Sequence, residues 1–273
     1  MNGSNRPRAT PPARRPADDP SFDFTVSADR VDLWLVRSPA VPDATALDTT
    51  ELDAAEQRRA DSFMRAEDGL LYASAHIALR RLLGRYTGTA PADVTFVREP
   101  CPGCGGAHGR PAVARPAEAA PDLHFSLSHS GGVALVGVAA AAIGVDVEKR
   151  PKQESVEICA RALHPDEQRE LAAAGEPTAC FGRIWTRKEA FLKGIGTGLS
   201  RSPAQDYLGA DTGRHPAGWA ILDVPCGPTH SAAAAVRGPA PGRVRIRRLT
   251  EDWLRAPGPG DAAHVSEPVL LAC

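Results

Sequence analysis

Gly144-Val145-Asp146-Val147-Glu148 and Trp185-Thr186-Arg187-Lys188-Glu189-Ala190-Phe191-Leu192-Lys193 are the segments whose reading decides the fold. The first has the pattern of a buried strand: Asp146 and Glu148 project from one face while Val145 and Val147 pack on the other. The second has the pattern of a helix. Its Trp185, Glu189 and Lys193 recur every fourth residue, so an aromatic, a carboxylate and an ammonium share one face. Three hard oxygen donors beside a cation suit magnesium on a phosphorylated ligand better than they suit zinc.

Working outward, Val31 to Val36 alternates as a strand, and Pro39 and Pro42 break it. Residues 49–86 lack proline and scatter Leu, Ala, Phe and Ile at helical spacing. They also carry Arg58, Arg59, Arg65, Arg80, Arg81 and Arg85, which predicts one or two helices with a cationic face. A short strand at 94–98 leads into a Gly/Pro/Cys loop ending at Pro111. A hairpin follows over 124–130 and 133–138, and residues 143–148 return as the acidic strand. Residues 154–174 read as helix with a restart at Pro165, and residues 180–193 as helix up to the glycines that follow. Three strands at 219–224, 231–236 and 244–249 predict an antiparallel sheet. Strands before helices, then helices before strands, argue for an α+β fold rather than a doubly wound parallel sheet.

Composition sets limits on function. A chain of 273 residues, 42% hydrophobic, can build one large domain or two small ones. The formal net charge of -1 supplies no field for nucleic acid or an anionic membrane, so any anion site is a local basic cluster. Residues 1–21 are polar and Pro-rich, reading as a disordered leader without a secretory signal. The apolar run 133–145 is too short to span a bilayer. Six cysteines without a secretory signal favour reduced thiols and a cytoplasmic location.

Four blocks together resemble the Sfp-type 4′-phosphopantetheinyl transferases: Gly109-Arg110-Pro111, Phe125-Ser126-Leu127-Ser128-His129-Ser130, and the two acidic segments. The resemblance covers most of residues 50–250, and the order and spacing of the blocks make it specific. It implies transfer of the phosphopantetheine arm of coenzyme A to a serine of an apo acyl or peptidyl carrier protein. Implied with it are 3′,5′-ADP as the by-product and polyketide or nonribosomal peptide synthesis as the setting. It also implies a pseudo-twofold α+β monomer of two similar subdomains, 22–141 and 142–273, each a small, mainly antiparallel sheet packed with helices. Coenzyme A would lie in the cleft between them.

By the same resemblance Asp146, Glu148 and Glu189 are the expected ligands of magnesium, with manganese as the alternative ion. Ser128 and His129 match an element that contacts the nucleotide phosphates, Arg110 one that holds the nucleotide end and Arg59 a phosphate-binding position; Lys193 reaches a phosphate oxygen, and Lys188 either assists there or is a solvated helix residue. Asp146, Glu189 and Lys193 form the catalytic set, with Glu189 serving as ligand, as general base or as both. The chain departs from the family pattern at Glu56, where relatives often carry lysine, and at Leu71-Tyr72, where an Arg-Thr pair is common; Arg58 or Arg65 are the substitutes for lost phosphate contacts.

Other readings compete with this one. Cys101-Pro102-Gly103-Cys104 with His108 offers three zinc ligands where a structural site takes four, so a Gly/Pro loop that aims Arg110 is favoured over zinc. The alternating arginines of 243–248 read as a solvated sheet face. A zinc-loop nucleic-acid module is disfavoured by the neutral charge balance, and the absence of a Gly-x-x-x-x-Gly-Lys-Ser/Thr loop removes the commonest nucleoside-triphosphate reading.

Overall fold

The computed structural model describes residues 23–40, 47–114 and 122–255; the leader expected over 1–21 lies outside them, as do residues 256–273, whose sequence reads as loop. In chain order the elements are β1 (Arg30–Arg37), α1 (Ala54–Asp61), α2 (Ala66–Thr87), β2 (Phe96–Arg98), β3 (Pro111–Val113), β4 (His124–Ser130), β5 (Val133–Ala139), β6 (Ile143–Lys149), α3 (Gln153–Cys159), α4 (Pro165–Ala172), α5 (Pro177–Ile195), β7 (Trp219–Asp223), β8 (His230–Arg237) and β9 (Arg243–Leu249). They form a sheet ordered β4-β5-β1-β9, a sheet ordered β6-β8-β7 and the small hairpin β2-β3.

Burial on both faces of β1 places it inside the first sheet. Trp34 and Val36, with Val136 and Val138 of β5, pack against Ile77, Leu82 and Leu83 of α2. On the opposite face Leu33, Leu35 and Leu135 meet Val145, Val147 and Ala234 of the second sheet. The far side of that sheet presents Ala233 and Ala235 to Ala190 and Phe191 of α5. The result is a four-layer α+β stack, helix on sheet on sheet on helix, with two similar halves.

Two devices fix the second sheet relative to its neighbours. The alternate serines of β4 reach across to β6: Ser126 Oγ accepts from the amide of Val145 at 3.0 Å, and Ser130 Oγ from the amide of Lys149 at 3.2 Å. Hydroxyls thereby satisfy edge-strand amides where no backbone ladder joins the sheets. The other device is close packing of α5 on β6. A Cβ added to Gly144 would sit 2.0 Å from the Ala190 carbonyl oxygen and 2.3 Å from the Gly194 nitrogen, and one added to Gly194 would sit 2.7 Å from the Trp219 ring.

The helices and strands expected around the acidic segments are present, but three expectations change. β9 does not join the C-terminal antiparallel sheet; it adds parallel to β1, with Asp32 opposite Arg245. Burial of Ile246 and Leu249 between the layers and a 2.6 Å bond from Arg245 Nη2 to the buried Asp32 draw it there. The arginines of 243–248 are accordingly not a simple solvated face. Nor is the helical arginine set uniformly cationic surface. Arg80 is buried, bonded to Glu56 at 2.7 Å and Asp53 at 3.0 Å, while Arg81 holds Glu51 at 2.6 Å and the carbonyl of Arg255 at 3.0 Å.

Gly144→Ala should be among the most damaging single-methyl additions, because the obstacle is the backbone of α5 rather than a movable side chain. A loss of about 3 kcal/mol is expected in urea unfolding, the upper end for an overpacked site. An unchanged midpoint would show that α5 is free to slide away from β6.

Candidate active site

Strand β6 and helix α5 cross where their glycines meet, and this crossing assembles the charged centre. Lys193, one turn before the left-handed C-cap Gly196, donates to Asp146 Oδ1 at 2.6 Å and to Ser128 Oγ at 3.0 Å. Ser128 Oγ donates to the same Asp146 oxygen at 2.8 Å, and Ser130 Oγ donates to Glu148 Oε2 at 2.7 Å. The β4 serines therefore tie the sheets together and orient both strand carboxylates.

Half-buried Glu189 completes an acidic trio around one ammonium. Burial, then the charges of Asp146 and Glu148, raise its carboxyl above the ordinary value, despite the opposing pull of Lys193. Glu148 is raised too, first by burial, with its bond from Ser130 opposing. Asp146 Oδ2 is buried and accepts no hydrogen bond. Asp146, with its buried and donor-free oxygen, and the raised carboxyls of Glu148 and Glu189 supply the all-oxygen, negatively charged chemistry that a hard divalent cation takes, although their oxygens do not all lie within 4.8 Å of one another. The residues present fit magnesium or manganese.

Beside this centre lies a cleft of about 980 Å³ whose lining includes Arg59, Arg110, Ser128, His129, Glu148 and Lys193. Six of the expected site residues thus share one cavity, with Asp146 behind Ser128 and Lys193. Arg110 is anchored by Glu99 at 2.6 Å and donates to the Gly194 carbonyl at 2.8 Å, so the Gly109-Arg110-Pro111 block touches the end of α5. His129 stands edge-on to Tyr72 with ring centroids 5.9 Å apart. Burial, then His76 and Lys193, lower its pKa, which favours the neutral ring in the open cleft.

The structure does not bring Lys188 to this cleft. It is buried on another face of α5, where Nζ contacts Glu167 at 2.7 Å and donates to the carbonyls of Pro203 at 2.7 Å and Asp206 at 2.6 Å. Trp185 stacks on Phe181 and serves packing. The departure at Glu56 also has a physical account. Glu56 completes a capping box with Asp53 at the start of α1 and binds Arg80.

Sequence reasoning missed His76, which lines the cleft and stacks on Tyr72 with centroids 3.9 Å apart. The four-residue spacing of Tyr72, His76 and Arg80 on α2 was the available signal.

Fold and site define an α+β protein with a cleft lined by arginine, histidine and lysine beside a buried acidic centre. A family model described as the 4′-phosphopantetheinyl transferase superfamily matches residues 142–233. The chain is 30% identical to the 4′-phosphopantetheinyl transferase HetI of Nostoc sp. over 227 residues, 79% of this chain and 91% of that protein. It is also 30% identical to the 4′-phosphopantetheinyl transferase Sfp of Bacillus subtilis (strain 168) over 140 residues, 50% of this chain and 57% of that one. A further Bacillus subtilis 4′-phosphopantetheinyl transferase is 30% identical over 152 residues, 55% of this chain and 62% of its own length. The chain belongs to the 4′-phosphopantetheinyl transferase superfamily. Its matches are partial in places, spanning about three fifths of the Bacillus relatives and 65% of a Synechocystis relative.

The raised carboxyls carry a stability consequence in metal-free protein. Native Glu189 and Glu148 keep their protons to higher pH than they do in the unfolded chain. Their contribution to stability therefore falls as pH rises from the ordinary 4.5 through the raised native values. Glu189→Gln, unfolded thermally in EDTA from about pH 4.5 to about pH 7, should flatten that decline and melt higher than wild type at the neutral end. A parallel pH profile in the variant would refute the electrostatic origin of the shift.

Proposed function

We propose that this protein transfers the 4′-phosphopantetheine arm of coenzyme A to a serine hydroxyl of an apo acyl or peptidyl carrier protein, releasing 3′,5′-ADP. The observation that carries the reading is the Lys193–Asp146–Ser128 junction. It sets the Lys193 ammonium, backed by Asp146, in a cleft that is also lined by Glu148, Arg59, Arg110 and His129. The family membership supports the same chemistry.

In this reading the serine oxygen forms a bond to the β-phosphorus, the pyrophosphate P–O bond breaks, and 3′,5′-ADP leaves with the electron pair. Asp146, Glu148 and Glu189 would hold magnesium, or manganese in its place. That ion, when bound, would neutralise charge on the pyrophosphate. Lys193 supplies a positive charge to the phosphate oxygens, and its bond to Ser128 keeps it at the cleft wall. Glu189 takes the serine proton; a raised carboxyl pKa makes it a stronger acceptor than an exposed glutamate. Neutral His129 donates from one ring nitrogen to the nucleotide end, and Arg110 lines the same cleft. Arg59, stacked over Phe63 at 4.8 Å, covers the opposite lip.

We further read the chain as a monomer of two subdomains, 22–141 and 142–273, serving polyketide or nonribosomal peptide assembly in the cytoplasm. The connection between β5 and β6 supports a division at that point, although β9 returns to the first sheet. Free thiols at Cys101, Cys104, Cys159, Cys180 and Cys226 suit a reducing compartment. Among the described residues no helix is long and apolar enough to cross a membrane.

Incubation with coenzyme A, magnesium and a panel of apo carrier proteins should add one phosphopantetheine to a carrier, read by intact mass; no shift on any carrier would end this proposal. Glu189→Gln and Asp146→Asn should each lower kcat by at least about a hundredfold with unchanged circular dichroism.

His129→Ala tests the nucleotide end separately. It should raise KM for coenzyme A more than it lowers kcat. The reverse split would move His129 from binding to chemistry.

A further inference from the structure

Between β2 and β3 the chain makes a twelve-residue excursion, 99–110, with little apolar content of its own. Such a loop needs another source of order. Its ends are clamped, since Glu99 donates its amide to the Arg110 carbonyl and Gly109 donates to the Glu99 carbonyl, both at 2.9 Å. Within it Gly105 donates to the Cys101 carbonyl at 2.7 Å and Cys101 to the Gly106 carbonyl at 2.8 Å, closing a tight turn on Cys101-Pro102-Gly103-Cys104. Inside that turn the amides of Gly103 and Cys104 are directed at the Cys101 sulfur.

The turn gathers three soft donors. The ligand atoms of Cys101, Cys104 and His108 lie within 4.8 Å of one another, the set so gathered among the described residues, and Cys104 Sγ is 2.9 Å from His108 Nε2. Tetrahedral Zn–S bonds of about 2.3 Å and Zn–N bonds of about 2.0 Å require donor separations of about 3.5–3.8 Å, which small side-chain rotations reach from here. Gly106 leaves room for the donors: a Cβ there would lie 3.0 Å from the His108 ring, a tight contact, and 3.5 Å from Cys104 Sγ. Loop backbone and glycine placement thus serve the convergence of the three donors.

We propose that Cys101, Cys104 and His108 bind one zinc ion. Two thiolates and a neutral imidazole select a soft tetrahedral cation over magnesium, and water takes the fourth position. Binding releases the two thiol protons, and two thiolates with one divalent ion leave the site neutral. The ion cross-links a loop whose last residue, Arg110, reaches the C-terminal end of α5 through Gly194. Its donors are distinct from the oxygen-donor centre at Asp146, although His108 and Arg110 also line the cleft.

The test uses the full chain purified under reducing conditions. Elemental analysis should find about one zinc per chain. Cobalt(II) in its place should give thiolate charge-transfer absorption and tetrahedral d–d bands. Cys104 is exposed, so Cys104→Ser should keep the wild-type circular dichroism. In it metal content should fall at least about tenfold, the least that disturbing a metal site costs. Stripping zinc from the wild type should speed hydrogen exchange in residues 99–110 and leave α5 and β6 unchanged. The proposal is overturned if the stripped chain takes up neither metal, if zinc persists equally in Cys104→Ser and His108→Ala, or if Cys101 and Cys104 form a disulfide under these conditions.

Discussion

Direct backbone packing of α5 on β6 is the contact on which the site depends. Gly144 and Gly194 have no side chains to hold the elements apart, and the alanines of β8 keep the adjoining surface shallow. Helices and sheets usually meet through interdigitated side chains. Here the helix descends until Lys193 on its last turn reaches Asp146 on the strand. A wider separation would leave Glu189 and Lys193 in solvent, where a carboxylate and an ammonium are well hydrated and interact weakly. The same approach desolvates the acids. Geometry and electrostatics of the centre therefore share one steric cause.

That centre is built at a cost to the folded state. Three carboxylates face one ammonium, two of them hold their protons more tightly than exposed acids do, and one buried oxygen accepts no hydrogen bond. Burying like charges together is unfavourable unless a counter-charge joins them, and the serines and Lys193 offset only part of it. Frustration of this kind marks sites shaped for a ligand rather than for stability, since a purely structural cluster would have been free to pair each charge. A divalent cation with an anionic ligand relieves both the excess charge and the orphaned oxygen.

Local periodicity made much of this legible. Alternation placed Asp146 and Glu148 on one face of β6, and four-residue spacing placed Glu189 and Lys193 together on α5. The same rule could have excluded Lys188 from the cleft: Ile184 and Leu192 stand four residues to either side of it, so it belongs to the buried stripe and meets Glu167 there. Partners distant in sequence were not legible. β9 looked like a third strand of the C-terminal sheet because nothing in Arg243 to Leu249 reveals that Arg245 faces Asp32, 213 residues away. The resemblance implied a role for Ser128 at the ligand but not the task the β4 serines share of joining two sheets, because a hydroxyl that bonds a distant amide looks like any other in sequence.

The change at Glu56 shows how a family pattern can shift without loss of the cleft. A lysine there would offer the cleft a mobile cation. Glutamate instead caps α1 and fixes Arg80, whose guanidinium also binds the carbonyls of Pro91 at 3.2 Å and Val94 at 2.9 Å. One diffuse charge is exchanged for a rigid corner between α1, α2 and the approach to β2. Rigidity matters because this corner carries Arg59 over Phe63, and Phe63 in turn packs on Tyr72 beside His76 and His129. The part of the cleft lined by Tyr72, His76 and His129 is therefore aromatic and imidazole, and Arg59 also lines the cleft. Rings recognise flat, polarisable groups by stacking and edge contacts, whereas Lys193 and Arg110 recognise charge. A ligand that fills the cleft should combine a planar or hydrogen-bonding portion on the α2 side with phosphates on the α5 side, and a nucleotide diphosphate has those two ends.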